Sequence, residues 1–414
     1  MDHIVIGAGP AGVVAVEQIR KHDPNGSIVL IGDEPEPPYS RMAIPYYLVK
    51  RIDEAGTHLR KDPGHYGALG IDVLRDRVSS IDTANQEIML DAGGSRRYDR
   101  LLIAAGASPI TPPISGVDLP GVYNCWTLED ARSIIKLMEP GNSVVLVGAG
   151  FIGCIILEAL AASGVKLTVV ETENRMVPRM MNDVSGGMIK DWCSNKGVNV
   201  LTSTRVNAIE AGRPLLVRFD NGEEVAADLV ITATGVAPNT AFLEGSGIDV
   251  DAGIVVNEFL ETSVPSVYAA GDCARGKDFS TGGYSVQAIQ PTAVEHGMLA
   301  ARNMVHGHSQ GNRGQVNMNV LDTLGLISSS FGMWMGVDGG DSVERIDRDR
   351  FRYVNLQFED DRIVGASALG ITDHVGVLRG MIQSKTRLGD WKKKLQDDPT
   401  RVMEAYLAST QVLG

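Results

Sequence analysis

The residues with the clearest chemical potential are glycines and acids at fixed spacing. Gly7, Gly9 and Gly12 form a Gly-x-Gly-x-x-Gly turn straight after the apolar run His3 to Ile6. Gly148, Gly150 and Gly153 repeat it after Ser143 to Val147. In such a turn the first glycine permits the tight reversal from strand to helix, the second lets the backbone approach a pyrophosphate, and the third lets the helix pack on the strand. The helix that follows aims unpaired N–H groups and a partial positive charge at the phosphates. An acid closes each unit: Asp33 or Glu34 after Ser27 to Ile31, and Glu171 after Lys166 to Val170. A carboxylate there takes ribose hydroxyls, and at Glu171 it favours a free 2′-hydroxyl over a 2′-phosphate, hence NADH over NADPH. Arg175, shortly after, reads as a solvated surface arginine in preference to a phosphate ligand. Two complete copies predict two dinucleotide sites, because each unit holds one pyrophosphate.

Other chemistry is sparse. Asp272 follows the small-residue strand end Ala269-Ala270-Gly271, where an acid can bind a sugar-alcohol hydroxyl. The four cysteines, Cys125, Cys154, Cys193 and Cys273, include no C-x-x-C pair and read as reduced thiols. Cys154 and Cys273 read as small packing residues. His296 is a candidate proton donor, but a mid-helix histidine reads first as exposed. No His/Cys cluster has metal-ligand spacing, and no Gly-x-Ser-x-Gly elbow is present.

These residues need particular elements to hold them. Helical periodicity follows each glycine turn, through Ile19 in the first unit and to about Ser163 in the second. Further buried strands are expected over Tyr98 to Gly106, Leu229 to Ala233 and Val267 to Ala270. From about Gln315 the texture changes to alternating short strands (Tyr353 to Phe358, Arg362 to Ala366) and a last amphipathic helix, Val402 to Ala408. Gly307 to Gly314 reads as the linker into this third part. A chain of 414 residues with 47 glycines fits several α/β domains with close backbone-to-ligand contacts. The net charge of −13 argues against nucleic acid and an anionic membrane surface, and mildly against a strongly acidic redox partner unless a local basic patch overrides it. No basic n-region precedes the first strand and no apolar run reaches membrane-spanning length, so a cytoplasmic protein is expected.

The set Gly7-x-Gly9-x-x-Gly12, Ala104-Ala105-Gly106, Gly148-x-Gly150-x-x-Gly153, Thr234-Gly235-x-x-Pro238-Asn239 and Ala270-Gly271-Asp272 resembles the pyridine-nucleotide-disulfide oxidoreductase superfamily. The likeness is nearest to the branch of NADH oxidases, rubredoxin and ferredoxin reductases and the NADH-reading part of assimilatory nitrite reductase. It covers roughly residues 3 to 305. The resemblance implies an α/β fold with two Rossmann-like dinucleotide-binding domains of the glutathione-reductase kind and a C-terminal α+β domain. It implies a discontinuous FAD domain (1–112 and 245–312), an NAD domain (113–244) and a C-terminal domain (313–414). It places FAD on Gly7, Gly9, Pro10, Ala11, Gly12, Asp33, Glu34, Arg41, Val78, Ala105, Gly106, Gly271, Asp272 and Thr292. It places NAD(H) on Gly148, Gly150, Phe151, Ile152, Gly153, Glu171 and Gly235. The helix opened by Gln290-Pro291-Thr292 would meet the flavin pyrimidine edge with its positive end.

Departures from the family pattern bear on function. Tyr39-Ser40-Arg41-Met42-Ala43-Ile44-Pro45-Tyr46 is similar to the segment that carries a redox cysteine in some members, and by that alignment the cysteine position is Met42. A thioether forms no thiolate, so thiol relay chemistry is not expected. The family lysine position falls on Tyr46, and Met42, Pro45 and Tyr46 are the side chains expected near the flavin. Ile155 stands where a glutamate is usual, and Trp126 where an arginine is usual, so a more apolar redox site is expected. The resemblance therefore implies hydride transfer from NADH to FAD and onward electron flow to a redox partner or small acceptor. The alternatives are a peroxide-forming NADH oxidase and an NADH-responsive flavin-bound sensor. A homodimer is a further expectation.

Overall fold

The computed structural model describes residues 1–410. Its contacts divide the chain into two compact units. One comprises Met1–Ser108, Val236–Asp278 and Gly282–Gln315; the other comprises Pro109–Gly235, Phe279–Thr281 and the described residues from Val316 onward.

In the first unit the apolar runs become a five-stranded parallel sheet in the order Val267–Ala269, Arg100–Ile103, Asp2–Ile6, Ser27–Gly32, Asp72–Arg75. The inner strands are apolar on both faces because both faces are covered: Val5, Leu30, Leu101, Leu102 and Ile103 are fully buried. Pro10–His22 follows the glycine turn, with proline in its first turn, where the missing N–H costs nothing. Gln290–His306 crosses it closely. A Cβ on Gly297 would stand 2.3 Å from the Ala11 carbonyl oxygen, so that crossing requires glycine. Gly307 to Gly314 is held, not slack: Asn303 Oδ1 accepts the N–H groups of Ser309 and Gln310 at 3.1 and 3.0 Å.

The second unit repeats the plan. Its parallel sheet runs Asn199–Leu201, Lys166–Val170, Ser143–Val147, Leu229–Thr232, Val122–Asn124. Phe151–Ala162 follows the second glycine turn. The same unit holds an antiparallel five-stranded sheet in the order Met318–Thr323, Leu326–Gly332, Arg362–Leu369, Arg352–Glu359, Asp341–Asp347. One face of that sheet buries Phe331, Val354, Leu356 and Ala366 with Leu378, Met381, Ile382 and Leu395 of the helices that follow. The parallel and antiparallel parts are tied by Asn182 Nδ2, which donates to the Tyr353 hydroxyl at 2.6 Å, and by the Trp192 indole N–H, which donates to the Leu324 carbonyl at 3.2 Å.

Candidate functional site

The six fingerprint glycines fall into two kinds. Gly7 (φ +107°) and Gly148 (φ +104°) sit in the left-handed region, and a Cβ on either would lie 2.0 Å from Ala104 O or 2.5 Å from Ala233 O. A Cβ on Gly12 or Gly153 would lie 1.9 or 2.1 Å from the carbonyl oxygen of Gly7 or Gly148. Those four are demanded by the protein's own packing. Gly9 and Gly150 are different: a Cβ there meets nothing within 4 Å. Each caps the N-terminus of its helix without a side-chain cap, leaving the first-turn N–H groups, those of Ala11 and Gly12 or of Phe151 and Ile152, free of one. The open cradle is the shape that close approach of a pyrophosphate requires.

The acids behave unequally. Glu171 is buried; its Oε2 accepts the Ala149 N–H at 2.7 Å and its Oε1 accepts the Glu173 N–H at 3.0 Å. It braces the second glycine turn from behind. In the first unit Asp33 is exposed and pairs with Arg77 at 2.8 Å. Glu34 accepts the Arg41 guanidinium at 2.6 Å and the Tyr39 hydroxyl, and Arg41 also donates to that hydroxyl at 2.9 Å. Tyr39, which the sequence offered only as the start of the Met42 segment, is thus tied to both Glu34 and Arg41. Arg175, expected as a solvated surface residue, is instead a clamp: it bonds Asp183 at 2.6 Å, Met181 O at 2.8 Å and Pro178 O at 3.2 Å.

Asp272 sits just beyond Gly271 (φ +74°), whose Cα lies so near Ala11 and Ala293 that a Cβ would touch their methyls at 3.3 and 3.4 Å. That turn brings Asp272 to the glycine turn and to helix Gln290–His306. No protein donor reaches its carboxylate among the described residues; burial lifts its pKa to about 6, against the pull of the Arg41 cation. Thr292 is buried in the first turn of the same helix, and Gln290 Oε1 accepts the Ser40 hydroxyl at 2.8 Å. Asn239 fixes the Ala105-Gly106 corner, donating to Ala105 O from its side chain (2.9 Å) and to Gly106 O from its backbone (3.0 Å). Gly235 lies in the second unit, where its carbonyl accepts the Ile110 N–H at 2.9 Å. Val78 is buried in strand Val78–Asp82, paired with Leu90.

Met42 and Tyr46 are about half exposed, at 48% and 52%, while Ile44 and Leu48 anchor the same helical stretch in the core. All four cysteines are free and buried. Burial pushes Cys125 and Cys193 up to about 12, Cys273 to about 11 and Cys154 well above the usual thiol range. His296 corrects the expectation of an exposed residue. It is 3% exposed, because strand Ala274–Lys277 covers that helix face at Gly276, and its Nε2 lies 3.3 Å from Asn312 Nδ2. Burial lowers its pKa to about 4.

Two parallel α/β sheets, each with an open glycine turn at a helix N-terminus, define a two-dinucleotide protein. The half-buried Asp272, with no protein donor among the described residues, and the cradle at Gly9 fit FAD, and the cradle at Gly150 fits a nicotinamide dinucleotide. The chain belongs to the pyridine nucleotide-disulphide oxidoreductase family, whose model matches residues 1–297. It is an oxidoreductase that uses FAD and NAD(H). An NADH oxidase of Methanocaldococcus jannaschii is 34% identical over 315 residues, 73% of this chain and 70% of the relative. The NADH-dependent phenylglyoxylate dehydrogenase subunit epsilon of Aromatoleum evansii is 28% identical over 99% of this chain and 97% of its own length. The structure of a NAD-dependent persulfide reductase from A. fulgidus superposes with a TM-score of 0.87 at 28% identity, over 94% of this chain and 78% of that one. No described helix is long and apolar enough to cross a membrane.

Proposed function

We propose that this protein takes a hydride from NADH and passes the electrons to a redox protein or small acceptor, without a redox-active cysteine. The observation that carries the reading is the pairing of an exposed Met42 in the segment Tyr39 to Tyr46 with four thiols that are all buried and raised above the thiolate range. A thiol held neutral by burial is a poor nucleophile and a poor relay.

The chain's own residues position and select. Gly7, Gly9, Gly12 and the helix from Pro10 receive the FAD pyrophosphate; Arg41, Asp33 or Glu34, Val78, Ala105, Gly106, Gly271, Asp272 and Thr292 complete that site. Asp272, lacking a protein donor, accepts hydroxyls of the ribityl chain. Gly148, Gly150, Phe151, Ile152, Gly153, Glu171 and Gly235 receive NADH, with Glu171 disfavouring a 2′-phosphate. When bound, the flavin supplies the redox chemistry; the protein supplies orientation and electrostatics. The division that suits these roles is 1–112 with 245–312 for FAD, 113–244 for NAD and 313–414 for the C-terminal part. The reduced thiols support a cytoplasmic location.

A protein acceptor is supported by the full-length relative, whose name makes it one subunit of a larger NADH-dependent enzyme. The competing reading, a peroxide-forming NADH oxidase, is supported by the 34% identical relative. Anaerobic reduction by NADH followed by mixing with air or with acceptors separates them. Slow reoxidation in air with fast reoxidation by a carrier supports the reductase; fast reoxidation in air with stoichiometric peroxide supports the oxidase.

A further inference from the structure

We propose that Arg379, Lys385, Arg387 and Lys394 form a docking face for a small acidic electron-carrier protein. The chain as a whole carries −13, yet between Arg379 and Lys394 stand Arg379, Lys385, Arg387, Lys392, Lys393 and Lys394 against the single acid Asp390. Two of these cations are locally neutralised: Lys392 bonds Asp341 at 2.6 Å, and Lys393 pairs with Asp397. The other four are exposed and have no carboxylate at ion-pair distance among the described residues.

The backbone that presents them is fixed. Arg379 lies on helix Val375–Gln383. The helix is closed through Lys385 (φ +52°), with Lys385 N–H on Ile382 O at 3.1 Å and Thr386 N–H on Met381 O at 3.0 Å. Leu388 then re-enters the core, its N–H on Asp361 O at 3.0 Å. Past it, the Trp391 ring carries Lys394 Nζ at 4.3 Å and Arg401 Cζ at 5.2 Å from its centroid. The helix dipole accounts for Lys385, beside one helix end, and Lys394, in the last turn of the next. It does not account for Arg379 or Arg387.

The partner follows from range. Charges are screened over about 8–10 Å in physiological salt. An extended polyanion, such as nucleic acid or an anionic membrane, spans many such lengths and meets the net negative chain. A compact acidic protein seated on the loop meets mainly the patch. That the partner carries electrons rests on the function proposed above.

The test uses the full-length FAD-loaded protein, NADH, an acidic [2Fe–2S] ferredoxin whose potential lies above that of the NAD+/NADH couple, and neutral 1,4-benzoquinone as a small acceptor. In the wild type, ferredoxin reduction should fall steeply with salt while benzoquinone reduction does not. The triple variant Arg379→Glu, Lys385→Glu, Arg387→Glu should lose roughly tenfold or more of the ferredoxin rate at low salt, with its salt dependence abolished or reversed. Its benzoquinone rate and flavin content should be unchanged. If the triple variant fails to hold FAD, the milder pair Arg379→Gln, Arg387→Gln should show a partial loss of the same sign. Equal ferredoxin rates in wild type and folded variant would overturn the docking face. So would a wild type that reduces benzoquinone but not ferredoxin, or one that binds phosphatidylserine vesicles through these residues in preference to ferredoxin. Failure to reduce even benzoquinone would instead overturn the electron-transfer reading, and the docking face with it.

Discussion

Glu171 reaches back from the end of its strand and accepts the Ala149 N–H at 2.7 Å, so acid and glycine turn form one buried unit. The carboxylate holds the turn, and in the proposed NADH site it would also face the ribose. Preference for NADH over NADPH should be about tenfold to a hundredfold in kcat/KM, from a lost hydrogen bond plus charge repulsion. Glu171→Ala should erode that preference and also raise KM for NADH, because the turn loses its brace. Equal kcat/KM for the two cofactors in the wild type would remove Glu171 from the ribose site.

The two kinds of glycine should separate in mutagenesis. Gly9→Val has room in the bare protein, so the fold should survive while flavin is lost on purification. Gly12→Val drives a side chain into the Gly7 carbonyl and should cost about 3 kcal/mol or more. Flavin absorbance together with thermal unfolding reads both. Full flavin content in Gly9→Val would remove the first turn from the FAD site.

Gly150→Val makes the matching separation on the other side. It should keep FAD yet resist reduction by NADH, while dithionite still bleaches the flavin. Normal reduction by NADH would show that the nicotinamide cofactor docks elsewhere.

His296 should make stability pH-dependent. Its folded pKa, about 4, lies below the ordinary 6.5 because burial disfavours the cation. Both states are neutral above pH 6.5, so the contribution is complete there; it is lost as pH falls from 6.5 towards 4, where the unfolded chain binds the proton first. The full span is worth about 3 kcal/mol. Urea midpoints of the FAD-saturated protein at pH 7 and pH 5 should differ more in the wild type than in His296→Gln. An identical pH response in both would show that His296 titrates normally.

On the proposed reading, in which the flavin is the sole redox group, an anaerobic dithionite titration should end near two electrons per FAD. No thiolate-to-flavin charge-transfer band should accompany it. An end point near four electrons would reveal a hidden thiol pair and displace the simple reading.

What the sequence disclosed follows from periodicity and spacing. Strand Ser143–Val147 was readable to the residue, because a doubly covered parallel strand is an unbroken apolar run. Gly9 and Gly150 were legible as a motif, but their difference from Gly12 and Gly153 was not, since it depends on which carbonyl passes behind each Cα. His296 misled because helical position alone does not reveal that Gly276 lies across it. Arg175 misled because its acceptors are backbone carbonyls, which have no sequence signature. The bond of Tyr39 to Glu34 was not legible because the two meet through a loop whose path no local rule specifies.

The clamp on Arg175 bears on redesign. Retuning a nucleotide site towards a phosphorylated cofactor needs a cation that is free to turn. Here Arg175 already ties Pro178, Met181 and Asp183 together, so releasing it would loosen the loop that returns to Ala149 through the Val177 N–H. Removing the acid at Glu171 would leave a site indifferent to the phosphate, not attracted to it. A productive conversion would have to import its arginine at exposed Thr172, Glu173 or Asn174, where the chain can carry a new side chain without surrendering an old one.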